Sequence, residues 1–129
     1  MASIYSGTGN VFTINKPEEL RTCLKDADGK KLVVLEFMAE WSEPCKSMAE
    51  PYRQLASELE QEPVKLCTID FNKFKALGRR LRVDAMPTFL LVKEYSVVDR
   101  LITLKKEDLR KSIDTQLQGL RSIDRPSLT

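Results

Sequence analysis

The chain of 129 residues contains no histidine. Histidine is the side chain that ordinarily gains and loses a proton near neutral pH, so any acid–base step must use carboxylates, lysines, thiols or water. No apolar run approaches the roughly 20 residues that span a bilayer. Residues 1–10 also lack the basic and apolar segments of a secretory signal. We therefore expect no membrane association and a cytoplasmic location.

Cysteine is scarce, with only Cys23, Cys45 and Cys67. An odd number at long spacings argues against a disulfide framework and is typical of a reduced intracellular protein. No Cys-x-x-Cys pair or His/Cys cluster offers metal ligands, so we predict neither a metal nor another cofactor. The net charge of +2, from 21 basic and 19 acidic residues, gives the whole chain no attraction to nucleic acid.

The length fits one domain, with 42% hydrophobic and 31% charged residues. We expect residues 1–10 to form a flexible arm because they are small and polar. Residues 11–118 carry the apolar periodicity of a folded domain. Residues 119–129 include Pro126 and little periodicity, and we expect a frayed tail there.

The apolar patterns predict the order β-α-β-α-β-α-β-β-α, an α/β domain with a mixed central sheet and helices on both faces. The continuous run Leu32–Met38 suits a strand that is covered on both faces. Asn15 is the predicted cap of the first helix, and Ser42 that of the second. Pro44 falls in the first turn of that second helix, where a missing N–H costs little.

Two segments carry a family resemblance. Residues 33–46, which include Trp41-Ser42-Glu43-Pro44-Cys45, resemble the active-site strand and helix start of the thioredoxins, where Trp-Cys-Gly-Pro-Cys-Lys follows a strand with a buried acid. Residues 84–89, Asp-Ala-Met-Pro-Thr-Phe, resemble the thioredoxin loop that contains a cis-proline. The sequence of this loop resembles that of h-type, cytosolic plant thioredoxins. The two motifs stand in the right order and at the right separation.

The resemblance implies a thioredoxin fold and a set of site residues. It places Glu36 at the position of the family's buried acid. It implies a cis peptide bond before Pro87, which would face Cys45 across a groove. It also implies that Trp41 flanks this groove and that Met86 offers backbone groups to an extended protein or peptide partner.

Several positions depart from the family pattern near this same surface. Ser42 stands where the nucleophilic cysteine belongs, and Glu43 replaces a glycine before Pro44. Thr103 stands where a glycine usually keeps the groove shallow, and Pro51 comes one residue later than the family's helix proline. A single engineered Cys-to-Ser change would have left the other positions regular, so these departures argue for a natural, degenerate site.

The replacement at Ser42 removes the first step of thioredoxin chemistry. That step needs a thiolate at an exposed helix N-terminus, which attacks a disulfide before a second thiol resolves the mixed disulfide. A serine hydroxyl is un-ionised at neutral pH, and no histidine activates it. We therefore expect Ser42 to be a helix cap and the chain to lack turnover as a dithiol reductase.

The role of Cys45 stays open between an inert, shielded thiol and a reactive monothiol. In the second case it could form a mixed disulfide with glutathione or with a second copy of the chain. Cys23 and Cys67 lie on predicted buried faces, which favours core packing for both. The sequence thus leaves three hypotheses: a partner-binding protein without turnover, a genuine thioredoxin whose first cysteine was replaced by Ser42, and monothiol chemistry at Cys45.

Overall fold

The computed structural model describes residues 10–124 of the chain. The predicted N-terminal arm lies outside the described residues except for Asn10, and so do residues 125–129 of the predicted tail. Residues 119–124 belong to the last helix, so this helix extends into the stretch for which we expected fraying.

The observed elements follow the predicted order. In chain order they are β1 (Phe12–Ile14), α1 (Pro17–Ala27), β2 (Leu32–Met38), α2 (Glu43–Glu58), β3 (Val64–Asp70), α3 (Lys75–Arg80), β4 (Thr88–Lys93), β5 (Ser96–Leu101) and α4 (Lys106–Asp124). A single 3₁₀ turn, Phe71–Lys73, precedes α3.

The five strands form one mixed sheet in the order β1-β3-β2-β4-β5. β1 and β2 both run parallel to β3, whereas β4 pairs antiparallel with β2 and with β5. All seven residues of the central strand β2 are buried, as the continuous apolar run predicted.

Two hydrophobic clusters cover the two faces of this sheet. On one face, α2 and α4 contribute residues such as Tyr52 and Ile113, which pack over Val34 of β2. On the other face, α1 and the α3 region contribute residues such as Cys23 and Phe74, which pack over Val33. Successive residues of β2 face opposite sides, which is the ordinary alternation of a strand.

The start of α1 differs by one residue from the prediction. We predicted Asn15 as its cap, but the N-cap is Lys16. The Glu19 carboxylate folds back and accepts hydrogen bonds from the backbone N–H groups of Asn15 at 2.9 Å and Lys16 at 2.8 Å. This carboxylate occupies the N–H groups at the helix start, so the Asn15 side chain is not needed as a cap.

The strand register brings three loops to one end of the sheet, which we call the β2 end. Phe37 of β2 pairs with Thr88, near the start of β4, and Phe89 pairs with Leu101, at the end of β5. The segment after β2, the segment before β4 and the segment after β5 therefore leave the sheet at the same end.

Candidate functional site

Residues 41–45, which are the end of the β2–α2 turn and the first residues of α2, form what we call the helix tip. Trp41 is 67% exposed. Glu43 and Pro44 are also exposed and occupy the first turn of α2. The Glu43 carboxylate lies 3.3 Å from Lys46 Nζ, an exposed pair of the kind that contributes little to stability. Glu43 thus places a negative charge on the surface next to Trp41.

Ser42 is the N-cap of α2, as predicted. Its Oγ accepts a hydrogen bond from the backbone N–H of Cys45 at 3.5 Å, and its carbonyl oxygen accepts from Lys46 N at 3.1 Å. The side chain is not presented to solvent, since Ser42 is only 6% exposed. The hydroxyl at the tip is therefore used to satisfy a free N–H of the helix start.

Cys45 lies in the first turn of α2 and is fully buried, with an exposed fraction of 0%. Its Sγ accepts a hydrogen bond from Ala39 N at 3.5 Å. Burial raises the pKa of the Cys45 thiol, and the nearby Glu36 adds to this rise, while the Ala39 and Ser42 hydrogen bonds oppose it. At neutral pH this sulfur is therefore a protonated thiol, which is a poor nucleophile.

Glu36 is fully buried in β2, on the sheet face that α2 covers. Its partner is Thr68 of β3, which stands opposite in the parallel register and donates its Oγ1–H to Glu36 Oε1 at 3.0 Å. Thr68 is not singled out by any pattern in the sequence. The alternation of β3 places Thr68 on the face of Leu66, but only the strand register shows that this threonine faces Glu36.

The loop before β4 contains a cis peptide bond between Met86 and Pro87. Pro87 is buried, whereas Met86 is partly exposed. Thr88 closes the loop by donating its hydroxyl to the carbonyl of Ala85 at 2.5 Å. Since Thr88 pairs with Phe37 near the end of β2, Pro87 lies at the same end of the sheet as the helix tip.

Thr103 follows β5 at the β2 end and holds the start of α4. Its Oγ1 donates to Asp108 Oδ2 at 2.9 Å and accepts from Lys105 N at 3.0 Å. Its neighbours Ile102 and Leu104 are more than half exposed. A glycine at this position would lack both hydrogen bonds, so the threonine adds a side chain to the surface and fixes the first turn of α4.

The structure thus brings most of the predicted site residues to one end of the sheet. Ser42, Cys45, Pro87 and Thr103 all gather there. Cys23 and Cys67 do not, because both belong to the hydrophobic cluster on the opposite face of the sheet from Glu36. Their burial agrees with the predicted core packing, and their position prevents either from resolving a disulfide on Cys45.

Within residues 10–124, no group of three or more cysteine or acidic residues is placed to hold a metal ion. None of the helices in the same range is long and apolar enough to cross a membrane.

Comparison with known proteins agrees with the fold. The thioredoxin family model matches residues 11–115. Thioredoxin H-type 2 of Nicotiana tabacum is 37% identical over 69% of this chain and 74% of its own length. Thioredoxin H-type 1 of the same plant is 35% identical over 84% of this chain and 85% of its own length.

Solved structures show the same architecture. A thioredoxin from Nicotiana alata superposes with a TM-score of 0.77 at 28% identity, covering 89% of this chain and 97% of that one. A wild-type poplar thioredoxin h superposes with a TM-score of 0.78 at 29% identity, covering 84% and 97%. These matches confirm the predicted thioredoxin fold. The chain belongs to the thioredoxin family, and its curated relatives include h-type plant thioredoxins.

Proposed function

We propose that this chain is a thioredoxin-family protein that binds a protein or peptide partner at the β2 end and does not turn over as a dithiol–disulfide reductase. One observation carries the proposal. The helix tip presents Ser42 as a cap, and the sulfur nearest to it, Cys45, is fully buried.

The chemical argument starts from the first step of disulfide exchange. A thiolate must approach the substrate disulfide in line with its S–S bond, so it has to be ionised and accessible. Ser42 offers a hydroxyl that is un-ionised at neutral pH, and the chain has no histidine to deprotonate it. Glu36 is the acid that would serve proton transfer in an active relative, and here it has no dithiol reaction to serve.

The same geometry disfavours monothiol chemistry at Cys45. A mixed disulfide with glutathione or with a second copy of the chain requires that the sulfur reach solvent. Cys45 Sγ instead lies against the backbone of Ala39, and burial raises its pKa. We therefore propose that Cys45 packs the start of α2, and that no cofactor is needed.

Partner binding rests on what the β2 end exposes. Trp41, Ile102 and Leu104 are exposed apolar side chains, and tryptophan is among the residue types that most often anchor an interface. The Met86–Pro87 segment lies at the end of a strand, where backbone groups can pair with an extended peptide. Glu43 adds a negative charge and Thr103 a side chain to this surface. We propose that both changes alter which partners are accepted.

The proposed location is the cytoplasm. The three cysteines are free in the structure, as expected for a reduced compartment. The h-type relatives are consistent with this proposal.

The first experiment tests turnover. It measures the reduction of insulin disulfides by dithiothreitol with the unaltered chain, the Ser42→Cys variant and the Ser42→Ala variant. We expect the unaltered chain and Ser42→Ala to give the rate of dithiothreitol alone. Ser42→Cys should recover little, because Glu43 and Thr103 remain. Catalysis by the unaltered chain would contradict the proposal, and full recovery by Ser42→Cys would favour a genuine thioredoxin whose first cysteine was replaced.

The second experiment tests partner binding. Trp41 is the single tryptophan of the chain, so its fluorescence reports on the helix tip. The probe is carboxymethylated insulin B chain, an extended peptide that cannot form disulfides. We expect a saturable fluorescence change that Ile102→Asp weakens. Tyr95→Asp is the matched control, because exposed Tyr95 lies in the β4–β5 turn at the other end of the sheet. Equal effects of the two variants would contradict a groove at the β2 end.

A further inference from the structure

A second pair of sulfurs lies outside the site described above. Cys23 of α1 and Cys67 of β3 are separated by 44 positions in sequence, yet their Sγ atoms are 3.8 Å apart. This distance allows a hydrogen bond between the two thiols. Both residues are free, and neither contributes to the β2 end.

The two sulfurs differ in how a small molecule reaches them. Cys67 is 0% exposed, whereas Cys23 is 4% exposed and lines a surface cavity of about 230 Å³ between α1 and the β1–β3 edge. Lys65 and Phe12 form the opposite wall, where Lys65 Nζ lies 4.4 Å from the centroid of the Phe12 ring. A reagent in this cavity therefore meets Cys23 first, with Cys67 directly behind it.

The surroundings of Cys23 favour its thiolate. The pKa of Cys23 is lowered to about 7, first by the hydrogen bond from Cys67 and then by the charges of Lys65 and Lys31, against the opposing effects of burial and Asp26. The pKa of Cys67 is raised well above its usual value by the same contact and by its burial. Cys23 is thus the nucleophile of the pair, and Cys67 holds the proton.

We propose that Cys23 and Cys67 form a redox-responsive pair that a small hydroperoxide converts into an intramolecular disulfide. The cavity admits the oxidant, and the contact between the sulfurs supplies the resolving thiol. This inference is independent of the proposed function, because it involves no residue of the helix tip.

The reaction balances in two steps. The Cys23 thiolate attacks one oxygen of the hydroperoxide and breaks the O–O bond, which gives the sulfenic acid of Cys23. The leaving alkoxide, or hydroxide when the oxidant is hydrogen peroxide, takes a proton from solvent and becomes an alcohol or water. The Cys67 sulfur then attacks the Cys23 sulfur and displaces the hydroxyl as water, while the Cys67 thiol gives up its proton. Two thiols are oxidised to one disulfide, and one peroxide is reduced.

The test uses the full reduced chain and equimolar hydrogen peroxide. After unfolding, remaining thiols are alkylated, and the intact mass and a peptide map are recorded. We expect a mass lower by two hydrogens before alkylation, one alkylatable thiol at Cys45, and a peptide that links Cys23 to Cys67. Three alkylatable thiols, a higher oxide on Cys23 beside a free Cys67, or a disulfide that includes Cys45 would each overturn the proposal.

Three variants refine the test. Cys45→Ser is the matched control and should give the same linked peptide. Cys67→Ser should stop at the sulfenic acid of Cys23, which dimedone traps, and Cys23→Ser should leave Cys67 as a free thiol. If the Cys67→Ser variant fails to fold, the peptide map of the unaltered chain still decides the question.

Discussion

The sulfurs of this protein lie in two contrasting regions on opposite faces of the sheet. Cys45, under α2, contacts a backbone N–H and lies near the buried acid Glu36, and its pKa is raised. Cys23, under α1, contacts a second thiol and lies near two lysines, and its pKa is lowered. All of these sulfurs are nearly or fully buried, so burial alone does not distinguish them.

Under the two proposals above, the helix tip has lost its attacking thiol, while a reactive pair of sulfurs lies on the other face of the same sheet. At the helix tip the resemblance to an active site is close, but the thiol that would attack is absent. On the other face no motif points to chemistry, yet two sulfurs are in contact beside a cavity. The immediate neighbours of a thiol decide its reactivity more than its place in a motif does.

Oxidation of the Cys23–Cys67 pair should have a large effect on stability, which oxidation at Cys45 should not have. Closing a loop of 44 positions between Cys23 and Cys67 should raise the free energy of unfolding by about 2 to 4 kcal/mol, because the bond restricts the unfolded chain. Urea denaturation of the peroxide-treated and reduced proteins measures this difference. The Cys45→Ser variant should show the same rise. An oxidised form no more stable than the reduced form would contradict the expectation.

The next effect is the labelling rate of the native thiols. At pH 7 about half of Cys23 is ionised, since its pKa is about 7. Ordinary thiols are only a few per cent ionised at that pH, and the raised pKa of Cys45 lowers its share further. Iodoacetamide, a small neutral reagent, should therefore label Cys23 at least about tenfold faster than Cys45, as followed by mass spectrometry of the peptides. Faster labelling of Cys45 would reverse the comparison.

A smaller effect tests whether Ser42 acts as a cap. Removing its hydroxyl by Ser42→Ala should lower the free energy of unfolding by about 1 kcal/mol, because the Cys45 N–H loses its acceptor. Ser47→Ala is the matched control: Ser47 is exposed inside the same helix, and its loss should change stability by less than about 0.5 kcal/mol. Equal losses in the free energy of unfolding of the two variants, measured by chemical denaturation, would show that Ser42 does not act as a helix cap.

The smallest effect concerns the acid beneath Cys45. Glu36 raises the pKa of Cys45, although less than burial does. In Glu36→Gln the charge is lost and an acceptor for Thr68 remains, so the pKa of Cys45 should fall. The titration of Cys45, followed in the native protein by the ¹³Cβ chemical shift of this residue, should then move to lower pH. Asp99→Asn removes a carboxylate from β5 and should leave the titration of Cys45 unchanged. A shift to higher pH in Glu36→Gln would show that the carboxylate does not oppose the thiolate.

Most of the fold could be predicted because local patterns and packing agree. The buried run Leu32–Met38 and the apolar stripe of α2 each identify one element, and the two motifs identify the family. The cap of α1 was misplaced because the Glu19 carboxylate folds back onto the N–H groups of the helix start. The end of α4 was set too early because the absence of apolar periodicity does not end a helix that is already formed.

The candidate site was only partly predictable. Ser42 as a cap follows from its place before the first turn, and the β2 end follows from the topology. Two contacts could not be predicted, because they depend on the register of distant segments. Thr68 contacts Glu36 because β2 pairs with β3, and Cys23 contacts Cys67 because α1 packs on β3.

The most direct test of the account maps which sulfur of the reduced, native chain attacks an aromatic disulfide such as dithionitrobenzoate. Peptide mapping after an acid quench reports each cysteine separately, and the same chain unfolded in urea is the positive control in which every thiol is accessible. We expect Cys45 to be recovered as a free thiol in the native chain and to react only after unfolding. A mixed disulfide on Cys45 that forms as fast in the native chain as in the unfolded one would contradict it.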